Sequence, residues 1–123
     1  MLDHVTLGVS DLERSKRFYD QALQPLGIER LYADGQTGLG YGAGRKAFFW
    51  IGLRNGSQTG AHVAFTTQDR ATVQQFHLKA LEAGGKDNGP PGLRPHYHQN
   101  YYGAFILDPD GHNIEAVCHA KPA

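Results

Sequence analysis

Residues 101–117, with the sequence YYGAFILDPDGHNIEAV, decide the fold of this chain. They predict two β-strands joined by a turn at 108–111, because Pro109 presets φ for the first central turn position and Asp110-Gly111 tolerates the tight reversal. The returning strand, 112–118, carries one carboxylate, Glu115, between apolar neighbours. Strand alternation puts Glu115 on the face opposite those neighbours. That face is either open to water or lines a site.

The composition limits the classes of protein to which the chain can belong. Its 123 residues are enough for one domain with a modest core. Lysine plus arginine and aspartate plus glutamate number 12 each, so no net field favours nucleic acid or an anionic membrane as a partner. There is no membrane-length apolar run and no secretory signal, and the single cysteine, Cys118, has no internal disulfide partner. We therefore predict a cytoplasmic protein.

The first 27 residues predict a strand followed by a helix. Residues 3–9 alternate apolar and polar side chains, which is typical of a β-strand. Ser10 and Glu13 fit a capping box, with Ser10 as the N-cap. Apolar residues then recur at helical spacing as far as Leu26, and Gly27 is predicted to end the helix.

The following segment, 28–53, is predicted to be extended. It contains glycines at every second position from Gly38 to Gly44, which leaves one strand face without side chains. Such a pattern indicates a bulge, a bend or the close approach of another group. The pattern is not a phosphate-binding loop, because no Gly-Lys-Ser/Thr follows and the strand-like segment 47–51 comes next.

The strand and helix pattern then occurs a second time. Sliding the chain by 58 residues places His62-Val63 on His4-Val5. The other identical pairs are Asp69 with Asp11, Phe76 with Phe18, Ala80-Leu81 with Ala22-Leu23, and Gly85 with Gly27. Self-similarity at a fixed offset predicts a repeated supersecondary unit. We predict one α+β domain, 1–123, built from two βαβββ modules at about 1–57 and 58–120.

Residues 86–100 lie between the second predicted helix and the final hairpin. This segment is rich in proline and glycine, which predicts a mostly irregular loop. A long loop ahead of the hairpin is either a lid over a site or a plain surface connection.

Three residues form a candidate metal site. The repeat makes His4 and His62 equivalent, each near the start of the first strand of its module. If the two sheets form a cup, His4, His62 and Glu115 converge on its inner face. Two imidazoles and one carboxylate suffice to bind a divalent metal and leave positions for water or substrate. The alternative is that these histidines are packed or hydrogen-bonded, and their spacing alone does not decide between the two.

The motifs DHVTLGVSD, the second HVAF and DPDGHNIEAV resemble the vicinal oxygen chelate superfamily over nearly the whole chain. This superfamily includes glyoxalase I, fosfomycin-resistance proteins, extradiol dioxygenases and bleomycin-resistance proteins. The resemblance implies two tandem βαβββ modules forming an open, cupped mixed sheet, and a homodimer. It also implies a divalent metal (Fe, Mn, Ni, Co or Zn) on the strands that here carry His4, His62 and Glu115, and a small substrate that chelates it through vicinal oxygens.

The chain departs from glyoxalase I at one position. Glyoxalase I-like members carry a fourth ligand, a carboxylate, on the strand that here reads AFFWIG, where the matching residue is Trp50 or Phe49. No acidic residue lies between Asp34 and Asp69. This departure disfavours glyoxalase I chemistry. A set of two histidines and one carboxylate resembles those of the fosfomycin-resistance and extradiol-cleaving members.

Other polar and aromatic residues are candidates for catalysis or substrate binding. Tyr102 and His98 are predicted to orient the substrate or supply a proton, and Trp50, Tyr101 and Arg45 to bind it. The alternative for each is a packed ring or a solvated side chain. Two other functions stay open: a metal-free module that sequesters a ligand, as the bleomycin-resistance members do, and a metal site without turnover.

Overall fold

The computed structural model describes residues 1–56 and 58–122, so residue 57, the last of the predicted first module, lies outside the described residues. The elements in chain order are β1 (Val5–Val9), α1 (Leu12–Ala22), β2 (Glu29–Asp34), β3 (Gly38–Ala43), β4 (Lys46–Leu53), β5 (His62–Thr67), α2 (Arg70–Glu82), β6 (Lys86–Leu93), β7 (Tyr102–Leu107) and β8 (Asn113–Cys118). In the described residues, no helix has both the length and the apolar character that crossing a membrane requires.

The strands form two mixed four-stranded sheets of the same design. Sheet 1 has the order β1-β4-β3-β2 and sheet 2 the order β5-β8-β7-β6. In each sheet the first strand of the module pairs in parallel with the last, and the other pairs are antiparallel. The predicted α+β fold of two βαβββ modules is confirmed.

The helices begin at equivalent residues, which confirms the 58-residue offset. Asp11 and Asp69 are the N-caps of α1 and α2, and each carboxylate accepts a backbone N–H from the first turn of its helix. The prediction that Ser10 caps α1 was wrong, because the Ser10 hydroxyl instead donates to Asp110 at 2.5 Å. The helical stripe also ends early: α1 stops at Ala22 and a separate 3-10 turn, Gln24–Leu26, follows.

Residues 86–93 correct the prediction of an irregular loop. They form β6, which pairs antiparallel with β7, so only 94–101 is left as a connection. Pro90 and Pro91 are tolerated because β6 is an edge strand and its pairing is interrupted by register shifts on both sides of Gly89.

The two modules share one apolar core. The helices cover one face of the sheets, and Phe49 of β4 meets Phe65 of β5 edge to face, with ring centroids 5.3 Å apart. We call the opposite face of each sheet its helix-free face. The glycine pattern lies on that face of sheet 1, where a Cβ on Gly40 would come within 2.7 Å of the Trp50 indole. The predicted close approach of another group is therefore confirmed at Gly40.

The turn between β7 and β8 joins the second module to the first. Asp108 is buried, and its Oδ1 accepts the backbone N–H groups of Asp110 and His112. Its Oδ2 accepts the hydroxyl of Tyr19, on α1, at 2.5 Å. One carboxylate thus shapes the turn and binds it to the other module.

His112 makes a second connection between the modules. Its Nδ1 accepts the backbone N–H of Ala61 at 3.1 Å. An accepting Nδ1 leaves the proton on Nε2, which donates to the backbone carbonyl of Gly8, in β1, at 2.8 Å. His112 therefore has a structural role.

The buried tyrosine on α1 gives the first prediction. Burial and the neighbouring Asp108 carboxylate raise the pKa of the Tyr19 hydroxyl well above its ordinary value near 10. The unfolded chain therefore loses this proton first, and the free energy of unfolding falls as pH rises above about 10, by about 1.4 kcal/mol per pH unit. We expect Tyr19→Phe to make this alkaline slope shallower, as measured by urea unfolding between pH 9 and pH 11.

Tyr32→Phe is the matched control, because Tyr32 is 54% exposed and stacks on Trp50. Its unfolding free energy should follow the wild-type slope. Equal slopes for Tyr19→Phe and the wild type would contradict the prediction.

Candidate functional site

The helix-free face of sheet 2 brings His62 and Glu115 together. The parallel register of β5 and β8 pairs Ala64 with Glu115, so the side chain of His62, two residues earlier, lies on the same face. The distance from His62 Nε2 to Glu115 Oε1 is 3.1 Å. Glu115 is 1% exposed, whereas the His62 side chain is 49% exposed. A buried carboxylate is therefore hydrogen-bonded to an imidazole that is itself accessible to solvent.

Tyr101 holds the other oxygen of this carboxylate. Its hydroxyl donates to Glu115 Oε2. Burial and this hydrogen bond raise the pKa of Tyr101 above its ordinary value, so the phenol stays a neutral donor. Gly103 leaves room for the contact, because a Cβ there would lie 3.3 Å from Oε2. Both oxygens of Glu115 are thus positioned by neighbouring side chains.

The ring of Phe105 lies beside the His62–Glu115 pair. The His62 ring stacks on it with centroids 6.2 Å apart, and the Arg94 guanidinium lies over the same ring at 5.5 Å. The predicted substrate-binding arginine, Arg45, instead lies in the exposed turn between β3 and β4. The structure therefore places Arg94, and not Arg45, at this site.

His4 lies on the other sheet. Its Nδ1 is 2.7 Å from Asp3, whose carboxylate also binds Lys46, and these two partners hold the pKa of Asp3 below its ordinary value. His4 lines a shallow cavity of about 240 Å³ with Trp50 and Arg54. Within residues 1–56 and 58–122, no three histidine, cysteine or carboxylate side chains are close enough to share a metal. The fold of a single chain brings His62 and Glu115 together, but not His4.

The two predicted catalytic residues occupy different environments. Tyr102 lies on the helix-covered face of sheet 2, where its hydroxyl accepts from Gln74 of α2 at 2.9 Å and Arg70 covers its ring. Tyr101 and Tyr102 are neighbours in sequence, so their side chains point to opposite faces and only Tyr101 reaches Glu115. His98 lies in the connection 94–101, on the Tyr101 side.

His119 is a site residue that sequence reasoning missed. Its ring meets those of Tyr101 and His98 edge to face, at centroid distances of 5.1 and 5.6 Å. The available signal was strand alternation, because His119 follows Glu115 by four residues and so shares its face.

The sequence profile of the Glyoxalase/Bleomycin resistance protein/Dioxygenase superfamily matches residues 1–116. The chain belongs to this superfamily. A solved glyoxalase/bleomycin resistance protein from Albidiferax ferrireducens T118 is 32% identical, with a TM-score of 0.81 and 99% of each chain covered. No curated protein sequence matches the chain significantly.

Two more distant structures share the fold. A glyoxalase-related enzyme from Fulvimarina pelagi is 23% identical, with a TM-score of 0.75, covering 96% of this chain and 87% of that one. The fosfomycin resistance protein FosX from Mesorhizobium loti is 22% identical, with a TM-score of 0.68, covering 96% and 91%.

The register identifies which residue of the first module is equivalent to Glu115. Thr6 pairs with Trp50 in sheet 1, and Ala64 pairs with Glu115 in sheet 2. Thr6 and Ala64 are related by the 58-residue offset, so Trp50, and not Phe49, is the equivalent of Glu115. The first module carries an indole where the second carries a carboxylate.

Proposed function

We propose that this chain is a divalent-metal-dependent enzyme acting on a small substrate that chelates the metal through adjacent oxygens. The observation that carries the proposal is the buried Glu115 carboxylate beside the accessible His62 imidazole, 3.1 Å apart. Adjacent ligands of an octahedral metal with bonds of about 2.1 Å are about 3.0 Å apart. The two donors fit neighbouring positions around one ion, and their nitrogen and oxygen chemistry suits Fe, Mn, Ni, Co or Zn.

We propose that the third ligand, His4, comes from a second copy of the chain in a homodimer. His4 contacts neither His62 nor Glu115, so one chain supplies an incomplete ligand set. In the described part of the chain, β1 and β5 each pair with one strand only. An apolar groove of about 410 Å³ lies beside both strands, lined in part by Val5 and Val63. A partner seated there would cover apolar surface and bring its own β1 to the site.

In this mechanism, the protein side chains hold and orient the reacting groups. The metal, when bound, supplies Lewis-acid activation of a substrate oxygen. His62 and Glu115 hold it, and the Tyr101 hydroxyl fixes the orientation of Glu115, as outer hydrogen bonds commonly do at metal sites. His119, which meets the Tyr101 ring, and His98, which meets the His119 ring, are placed to exchange a proton with a bound substrate. Tyr102 has no part in this scheme, because it faces α2.

Elemental analysis of protein purified without a histidine tag tests the metal site. We expect about one equivalent of metal per chain in the wild type and a loss of at least tenfold in affinity for Glu115→Ala and His62→Ala, because each removes a ligand. His77→Ala is the matched control: His77 is also paired with a carboxylate, Asp87, at 2.9 Å, but it lies on α2. This variant should keep its metal.

Wild-type protein that holds no metal, even after reconstitution with each of the five metals, would overturn the proposal. Equal metal content in Glu115→Ala and His77→Ala would also do so. Circular dichroism and Glu115→Gln, which preserves the volume of the buried side chain, separate the loss of a ligand from loss of the fold.

The aromatic surface of sheet 1 favours a second candidate function, ligand sequestration without metal. Trp50 and Tyr32 stack with ring centroids 5.8 Å apart on the helix-free face, and Trp50 takes the position that Glu115 has in the second module. Flat aromatic groups bind planar ligands by stacking. Ligand binding that survives treatment with a chelator but is lost in Trp50→Ala would support sequestration. Loss of binding on chelation would favour the enzyme.

A further inference from the structure

Arg94 is fixed in place next to the proposed metal site. Its backbone N–H donates to the carbonyl of Tyr101, and its Nη2 donates to the carbonyl of Pro90, both at 2.7 Å. The guanidinium lies over the Phe105 ring, on which His62 also stacks. The side chain is therefore fixed beside Phe105 by its backbone N–H, by its Nη2 and by the face of its guanidinium.

Two glycines make room for this side chain. A Cβ on Gly89 would lie 3.2 Å from Arg94 Nη2, and a Cβ on Gly92 would lie 3.1 Å from Nη1. Both distances are tighter than ordinary contact, so side chains at these positions would displace the guanidinium. The glycines of β6 thus leave the space beside Phe105 that the guanidinium occupies.

Arg94 has no carboxylate partner in the described residues of the chain. The nearest site carboxylate, Glu115, is already engaged by His62 and Tyr101. The guanidinium carries five N–H donors, of which the Pro90 carbonyl takes one. A cation with free donors beside a substrate site is matched to an anionic group on the ligand.

We infer that Arg94 binds the carboxylate of the substrate, so that the substrate class is small carboxylates with an adjacent oxygen. This inference rests on the proposed function for the position of the reacting oxygens. A planar guanidinium pairs with a carboxylate through two parallel hydrogen bonds, which gives both affinity and orientation. The Arg94 guanidinium lies 5.5 Å and the His62 ring 6.2 Å from the centre of the same Phe105 ring, so one small ligand can span the two groups.

Calorimetric titration with oxalate and its neutral analogue oxamide tests the inference. Each is titrated into wild-type, Arg94→Gln and Arg94→Lys protein, both chelator-treated and manganese-loaded. We expect at least tenfold weaker oxalate binding for Arg94→Gln. We expect partial recovery of binding for Arg94→Lys, because lysine restores the positive charge but not the planar pair of N–H donors. Arg17→Gln removes the same charge from the exposed surface of α1 and should bind oxalate as the wild type does.

The same titration on Glu115→Gln distinguishes failure of this inference from failure of the metal site. If Glu115→Gln removes the metal and adding Arg94→Gln to that variant still weakens oxalate binding, the carboxylate site is supported independently of the metal site. Equal oxalate affinity of the wild type and Arg94→Gln would overturn the inference. Oxamide that binds as tightly as oxalate, or no oxalate binding to the wild type in either state, would also overturn it.

Discussion

Asp108→Ala is expected to lower the free energy of unfolding by about 4 kcal/mol. The substitution removes the acceptor of two backbone N–H groups and leaves the hydroxyl of Tyr19, which is 0% exposed, without a partner. A hydrogen bond to a charged group contributes about 1.5–3 kcal/mol, and an orphaned buried donor costs about 1–3 kcal/mol. Urea unfolding of the purified variant measures the change.

The matched control is Asp34→Ala, because Asp34 also precedes a turn but its side chain is exposed. A change within about 0.5 kcal/mol is expected there. A double-mutant cycle of Tyr19→Phe with Asp108→Asn isolates the contact between the modules, and we expect a coupling energy of about 1–2 kcal/mol. A destabilisation by Asp108→Ala no larger than that of Asp34→Ala would show that the turn does not hold the modules together.

These contacts divide the motif DPDGHNIEAV into two parts. Asp108, Asp110 and His112 connect the second module to α1 and β1. Glu115, three residues further on, carries the site. The same short hairpin thus contacts the first module through its turn and carries the buried carboxylate on its returning strand.

The order of the elements could be predicted from the sequence because the same strand and helix pattern occurs in both halves of the chain. Asp11 and Asp69 cap equivalent helices, and the alternation around Glu115 correctly separates it from its apolar neighbours. These features depend on interactions within a few residues or on comparing one half of the chain with the other. Both are visible without knowledge of tertiary contacts.

The predictions that failed depend on contacts between distant residues. The prediction that Ser10 is the N-cap failed because Ser10 binds Asp110, 100 residues away in sequence. The prolines of β6 predict a loop unless the strand is known to lie at a sheet edge. The assignment of both Tyr101 and Tyr102 to one site is a different case, because neighbouring strand residues point to opposite faces and sequence alone does not locate the first residue of the strand.

The different surroundings of Arg45 and Arg94 are also visible only in the folded chain. Arg45 and Arg94 look alike in sequence, since each lies near glycines in a polar segment. Only the folded chain shows that Gly89 and Gly92 leave space for the Arg94 guanidinium beside Phe105. The proposed contribution of His4 from a second copy is a further step removed, because such a contact is absent from a single chain.

Co-expression of two defective chains is expected to restore metal binding if the site forms between copies. A His4→Ala chain keeps His62 and Glu115, and a Glu115→Ala chain keeps His4. In a two-fold dimer that combines them, one of the two sites receives a complete set of ligands and the other receives both defects. Random pairing makes about half of the dimers hybrids, so about one quarter of the wild-type metal should be recovered.

The matched control is co-expression of His62→Ala with Glu115→Ala. Because His62 and Glu115 contact each other within one module, every pairing of these chains leaves each site with a defect. Metal recovery in the first mixture but not in the second therefore requires that His4 act across the dimer. Equal metal content in the two mixtures, or a wild-type chain that sediments as a monomer, would contradict a shared site. In that case the His62–Glu115 pair would have to bind metal with ligands from its own chain and solvent alone.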